Sequence, residues 1–181
     1  MLAIVVMLAS LSFACADDKT GPTPVLTSPP TTTFPMPPLK PNAEMGWLMA
    51  DGQRSKLLNY RGKVLVLDFY ATWCVPCRKS IPHLIALQNK RAPEGLQIVG
   101  LNVGGADDRI KVASFARELG VTYPLGFPDK ELTDFFLSDN QTIPQTFVFG
   151  REGQLIKRLI GFEGTAAAEL DQAIETGIET K

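Results

Sequence analysis

Two cysteines separated by two residues, where an apolar strand runs into a helix, constrain this chain more than any other feature. The stretch is Asp68-Phe69-Tyr70-Ala71-Thr72-Trp73-Cys74-Val75-Pro76-Cys77. Val64 to Tyr70 is an apolar run rich in β-branched and aromatic residues and reads as a buried strand. A helix is expected to start at the cysteines and to reach about Asn89. A thiol at a helix N-terminus sits in the positive end of the macrodipole beside unpaired backbone N–H groups, and both favour the reactive thiolate. Cys77 lies about one turn further on, so its sulfur can reach that of Cys74 and close a disulfide. Pro76 suits the first turn, where its missing N–H costs nothing. The segment reads as a redox dithiol.

The rest of the composition narrows the setting. A chain of 181 residues suits one domain of ordinary size plus an appendage. A net charge of −1 and a pI near 5.9 give no reason to expect nucleic acid. Three cysteines and one histidine cannot build a four-ligand zinc site within one chain, and no metal or cofactor is expected. An odd cysteine count leaves Cys15 without an obvious partner.

Cys15 belongs to a different kind of sequence. Leu2 to Ala16 is nearly all apolar, yet shorter than the roughly 20 residues of a comfortable membrane span. Residues 1–15 resemble an export signal, although no Lys or Arg precedes Lys19. Leu11-Ser12-Phe13-Ala14-Cys15 resembles a bacterial lipoprotein signal, in which cleavage leaves a lipid-bearing cysteine as the first residue; Ser12 and Phe13 fit more loosely than Ala14. An uncleaved anchor is the alternative. Residues 16–41 carry eight of the 14 prolines, interleaved with threonines. Such a tract cannot bury a core and is expected to be an extended linker of roughly 3.1 Å per residue. Export, a membrane attachment and a tether together imply an extracytoplasmic, membrane-attached domain, in a periplasm or on the outer face of a bacterial membrane.

The folded domain is expected over residues 42–181. Trp47-Leu48-Met49-Ala50 and Lys56-Leu57-Leu58 flank the turn signal Asp51-Gly52 and suggest an N-terminal β-hairpin. After the dithiol helix, Leu96–Val103 reads as a second buried strand. Asp107 or Asp108 is expected to cap a helix with Ile110, Val112, Phe115, Ala116 and Leu119 inward and Gly120 at its end. Val121–Phe127 is extended, and a short helix capped by Asp129 follows, with Leu132, Phe135 and Phe136 inward. Thr146–Phe149 and Gln154–Ile160 form a hairpin about Arg151-Glu152-Gly153. Thr165 is expected to cap a last helix with Leu170, Ile174 and Ile178 as its core stripe. The pattern predicts an α/β fold with a mixed sheet.

A Cys-x-x-Cys alone is also half a zinc site. Here Trp73 precedes it, the helix is interrupted at Pro82, and Thr142-Ile143-Pro144-Gln145-Thr146-Phe147 sets a proline just before an apolar strand. With these marks the chain from about Asn42 to Lys181 resembles the thioredoxin superfamily, and within it the TlpA/ResA-like thiol-disulfide oxidoreductases. The resemblance implies a thioredoxin-like fold with a helix and strand inserted between Gly104 and Phe127. It implies that Cys74, the more exposed thiol, attacks a substrate disulfide and that the deeper Cys77 resolves the mixed disulfide. It further implies that Pro144 is a cis-proline facing the dithiol, leaving the Ile143 backbone to pair with an extended substrate. Trp73, Val75, Pro76, Ile143 and Pro144 would line that surface, with a plain core tryptophan as the alternative for Trp73.

Asp68 interrupts an otherwise apolar strand, six positions before Cys74, matching thioredoxin's buried aspartate. Burial raises a carboxyl pKa, which suits a proton acceptor for Cys77. Many TlpA/ResA-like members carry instead a Glu three positions after the second cysteine, where this chain has Ser80. The departure moves the expected proton handler to Asp68. Arg78 and Lys79 bring positive charge near the dithiol, and His83 reads as an ordinary helix histidine. Strong oxidants of the superfamily place a histidine between their cysteines, and Val75-Pro76 offers none. The expected activity is therefore reduction of disulfides in exported proteins, such as the haem-binding cysteines of apocytochrome c or cuproprotein cysteines. The resemblance implies a membrane thiol relay as electron donor. Two alternatives stand beside it: a peroxiredoxin-type thiol peroxidase and a non-enzymatic, copper-chaperone-like lipoprotein.

Overall fold

Burial on both faces sets Val64–Tyr70 at the middle of the molecule. In the computed structural model, which describes residues 42–180, the strands are β1 (Gly46–Met49), β2 (Arg54–Lys56), β3 (Val64–Tyr70), β4 (Leu96–Asn102), β5 (Leu125–Pro128), β6 (Gln145–Phe149) and β7 (Leu155–Ile160). The helices are α1 (Val75–Arg91), α2 (Ala106–Arg109), α3 (Val112–Leu119), α4 (Lys130–Leu137) and α5 (Ala166–Glu179). The seven strands form one sheet in the order β2-β1-β5-β4-β3-β6-β7. β3, β4 and β5 run parallel, whereas β1 pairs antiparallel with β2 and β5, and β6 antiparallel with β3 and β7. This is the mixed sheet that the pattern predicts.

The period-2 alternation of β3 divides the core in two. Val64, Val66 and Tyr70 face a layer built from Ile81 and Leu84 of α1, Phe115 of α3, and Leu170 and Ile174 of α5. Both cysteines of the dithiol belong to this layer. Leu65, Leu67 and Phe69 face the opposite layer, where Phe136 of α4 meets Phe147 and Phe149 and where Trp47 is also buried. Helices therefore cover both faces, as parallel strands require. Among the described residues, no helix is long and apolar enough to cross a membrane.

Local sequence explains most boundaries. α1 tolerates Pro82 inside it, at the loss of one N–H···O bond to Arg78. Gly120 ends α3 in the left-handed conformation, with φ of 64°. Four expectations need correction. The second arm of the N-terminal hairpin is Arg54–Lys56, and Leu57 and Leu58 turn into a 3-10 helix over Leu57–Tyr60. Ile110 lies between α2 and α3 with 81% of its surface exposed, so it is not part of the inward stripe. Neither Asp107 nor Asp108 caps a helix; Gly105 and Lys111 hold the N-cap positions, and Asp108 is drawn inward by other partners. Asp129 and Thr165 occupy cap positions, but their side chains bind Arg54 and Glu169 rather than backbone N–H groups.

Candidate active site

The site is built where β3 hands the chain to α1. Cys74 holds the N-cap of α1 in an extended conformation, and the loop before it closes through its N–H to the carbonyl of Ala71 at 3.2 Å. The N–H of Cys77 points at Cys74 Sγ, 3.2 Å away. That donor is one of the orphan N–H groups of a helix start, and it aims positive charge at the sulfur where a thiolate forms. Cys74 and Cys77 are joined by a disulfide. Cys74 retains 4% of its surface and Cys77 none, so any partner meets Cys74 first.

The neighbours divide into an exposed rim and a buried floor. Trp73 and Val75 flank Cys74 with 63% of their surfaces exposed, so Trp73 is not a core tryptophan; Trp47 fills that role. Pro76 is half-buried in the first turn of α1. Opposite, the Ile143–Pro144 bond is cis, and the Ile143 carbonyl oxygen lies 3.7 Å from Cys74 Sγ. In the reduced protein that carbonyl stands ready to accept from the Cys74 thiol.

Asp68 lies on the face of β3 that carries the dithiol layer, fully buried. Register sets Thr146 of β6 and Gly100 of β4 beside it. Thr146 Oγ1 donates to Asp68 Oδ1 at 3.0 Å, while Oδ2 has no partner among the described residues. Gly100 brings no side chain, and a Cβ there would lie 2.6 Å from Leu125 Cδ2 and 3.2 Å from the Tyr70 ring. With no cation to offset it, burial pushes the Asp68 carboxyl up to about 7, against a smaller opposing effect of the Thr146 hydrogen bond. The Tyr70 hydroxyl also lacks a partner among the described residues; burial, and then the charges of Asp68 and Asp108, push its pKa up. Ser80 is buried too, and its hydroxyl donates back to the Cys77 carbonyl at 2.9 Å.

Asp108 is not the helix cap that its place in the sequence suggests. Asp108 is 2% exposed, and its carboxylate accepts from the Thr72 N–H at 2.9 Å, from the Thr72 hydroxyl and from Asn102 Nδ2 at 2.8 Å. Burial alone would raise its pKa; the bonds from Thr72 and Asn102 outweigh this and hold it below the ordinary carboxylate value. The inserted segment thereby grips the loop that carries Cys74. The legible signal was Gly104, where any Cβ would fall 2.2 Å from Asp108 Oδ2.

The outer charges play smaller parts. Arg78 pairs with Glu118 of α3 and lies over the Phe115 ring, which draws it along the helix flank. His83 Nε2 lies 2.8 Å from Asp171 Oδ1, linking α1 to α5. Cys15 lies outside the described residues.

A mixed sheet with helices on both faces, a dithiol at a helix N-cap and a facing cis-proline define a thioredoxin-like protein. Its fold matches a thiol:disulfide interchange protein of the thioredoxin family from Chlorobium tepidum TLS, with a TM-score of 0.66, 26% identity and coverage of 79% of this chain and 98% of that one. StoA from Bacillus subtilis matches with a TM-score of 0.58 at 25% identity, over 74% and 98% of the two chains. The sequence model of the AhpC/TSA family matches residues 37–158, and the chain belongs to that family. The thiol-disulfide oxidoreductase ResA of Bacillus subtilis (strain 168) is 32% identical over 112 residues, 61% of this chain and 60% of that protein. ResA of Geobacillus thermodenitrificans (strain NG80-2) is 30% identical over 113 residues, 61% and 62% of the two. The chain thus spans about 60% of the length of these curated relatives.

Proposed function

We propose that this protein is a thiol-disulfide oxidoreductase that reduces disulfides of exported proteins. The observation that carries the reading is Cys74 at the α1 N-cap, with the Cys77 N–H 3.2 Å behind its sulfur and the Ile143 carbonyl 3.7 Å in front. The Cys74 thiolate attacks one sulfur of a substrate disulfide, forming a mixed disulfide and expelling a substrate thiolate, which takes a proton from solvent. Cys77 passes its proton to Asp68 and attacks Cys74 Sγ. The bond from Cys74 to the substrate breaks, the second substrate sulfur leaves as a thiolate that takes a proton from solvent, Asp68 returns its own proton to solvent, and the protein is left with the Cys74–Cys77 disulfide. Two electrons and two protons from a dithiol donor restore it, and a membrane thiol relay is the donor proposed.

Direction follows from what lies between the cysteines. Val75 and Pro76 supply no hydrogen-bonding side chain to hold the reduced thiolate, so the pair is a reductant. Its redox potential, measured by equilibration with a glutathione or dithiothreitol buffer, is expected nearer the roughly −270 mV of thioredoxin than the roughly −120 mV of a strong oxidant. A value at the oxidising end would overturn the assignment. Because the chain belongs to the AhpC/TSA family, peroxide is the competing electron acceptor. The Thr72 hydroxyl donates to Asp108 and not to Cys74, which favours a disulfide. Peroxide added with a dithiol donor should disappear no faster than with the donor alone.

The setting proposed is extracytoplasmic. Residues 1–15 direct export, Cys15 takes a lipid, and residues 16–41 hold the domain over residues 42–181 away from the membrane. Intact mass of the mature N-terminus tests this; an unprocessed chain without added lipid would refute the lipidation.

A further inference from the structure

The segment that faces Cys74 has no regular structure of its own between the end of α4 and the start of β6, so side chains must fix its shape. Gln145 does much of this. It is fully buried, and both of its amide hydrogens are used: Nε2 donates to the Asn140 carbonyl at 2.7 Å and to the Thr142 carbonyl at 2.9 Å. Its Oε1 accepts from Arg158 Nε at 2.8 Å. The guanidinium of Arg158, with its side chain 13% exposed, also forks onto Asp139, at 2.6 and 2.9 Å. That hydrogen bond and charge hold the Asp139 carboxyl below its ordinary value. Thr142 N–H donates to Asn140 Oδ1 at 2.8 Å, and the Pro144 carbonyl accepts from the Gly161 N–H at 2.8 Å. Both neighbours of Ile143 are therefore fastened. The Ile143 N–H itself makes no backbone hydrogen bond among the described residues.

We propose that Gln145 and Arg158 are positioning residues that hold the Ile143 main chain open beside Cys74, and so set the affinity for an extended protein segment. The proposal rests on the oxidoreductase assignment and adds to it the device that presents the docking edge. Only a side chain of this length with two N–H donors and an acceptor can bind Asn140, Thr142 and Arg158 together. A glutamate would keep the acceptor and turn both donors into repulsion against two carbonyls. A lysine at 158 would keep the charge but lose the planar fork. In either case the dithiol on the opposite side of the site keeps its own hydrogen bonds, so binding should suffer more than chemistry.

The test uses the full chain and a synthetic peptide whose two cysteines are joined by a disulfide, with KM, kcat and the Cys74–Cys77 potential all measured. Gln145→Glu is expected to raise KM about tenfold and Arg158→Lys about threefold, with kcat within about twofold of wild type and the potential unmoved. An unchanged KM, or a fall in kcat accompanied by a shifted potential, would overturn the proposal. Should Gln145→Glu fail to fold, Arg158→Lys carries the test alone, and an unchanged KM there is equally fatal. A wild-type protein that reduces no peptide disulfide sinks the oxidoreductase assignment itself. An active wild type with unaltered variants sinks only the positioning role.

Discussion

Asp108 holds Thr72 twice, one carboxylate oxygen accepting its backbone N–H at 2.9 Å and the other its hydroxyl. Thr72 stands two residues before Cys74, so a residue of the inserted segment fixes the approach to the dithiol. Asp108→Ala leaves the Thr72 N–H, the Thr72 hydroxyl and the Asn102 amide without their acceptor inside the protein. Destabilisation of about 3 kcal/mol is expected in urea unfolding of the oxidised form. Gly104→Ala should imitate it, because the added Cβ would displace the same carboxylate. The two changes should then be less than additive in the double variant. Additive losses would mean that Gly104 matters for some other reason.

Asp68 gives stability a pH dependence of unusual sign for a carboxylate. Its pKa is about 7 in the oxidised fold, against 3.8 ordinarily. Below pH 3.8 the group is protonated in both states and adds no penalty. As pH rises toward 7 the unfolded chain ionises while the fold keeps its proton, and stability is lost. The loss is complete above about pH 7 and is on the order of 4 kcal/mol. Asp68→Asn keeps an acceptor for Thr146 and removes the titration. Relative to that variant, the wild type should weaken between about pH 4 and 7. Parallel stability curves would show that Asp68 titrates in the ordinary range.

The same buried carboxyl should appear in the kinetics. A base that titrates near neutrality is matched to removing the Cys77 proton during resolution. Asp68→Asn should slow decay of the mixed disulfide by about a hundredfold at pH 7, with the rate recovering as pH approaches the ordinary thiol value of about 8.5. Stopped-flow decay of a preformed adduct gives the profile. If it overlays the wild type at every pH, Asp68 handles no proton.

Legibility in the sequence followed the range of the interactions. β3, α1 and the proline before β6 could be read because an apolar run, a helix-start cysteine pair and a proline are local patterns. Asp68 was legible for a related reason, since one acid in a run of buried residues must itself be buried. Its partners were not, because Thr146 is 78 positions away and meets it only through the antiparallel register of β3 and β6. Asp108 escapes local reading because an acid near a helix start normally caps; here a hydrogen-bonding demand from Thr72, 36 positions away, overrides the local preference. Ile110 would fall on the inward stripe only of one continuous helix; the break between α2 and α3 turns its side chain outward.

The unequal burial of the two cysteines predicts unequal behaviour when each is removed. Cys74 keeps 4% of its surface beside the exposed Trp73 and Val75, whereas Cys77 keeps none beneath the first turn of α1. In Cys77→Ser, Cys74 can still attack but nothing resolves the adduct, so a mixed disulfide with the peptide substrate should accumulate to near one per chain while turnover falls at least about a hundredfold. In Cys74→Ser, the remaining thiol is walled off from an approaching disulfide, and adduct formation should be negligible over the same time. Intact mass under non-reducing conditions distinguishes the two outcomes. Adduct formation through Cys77 in Cys74→Ser would mean that the first turn of α1 opens readily, and the order of attack would have to be reversed.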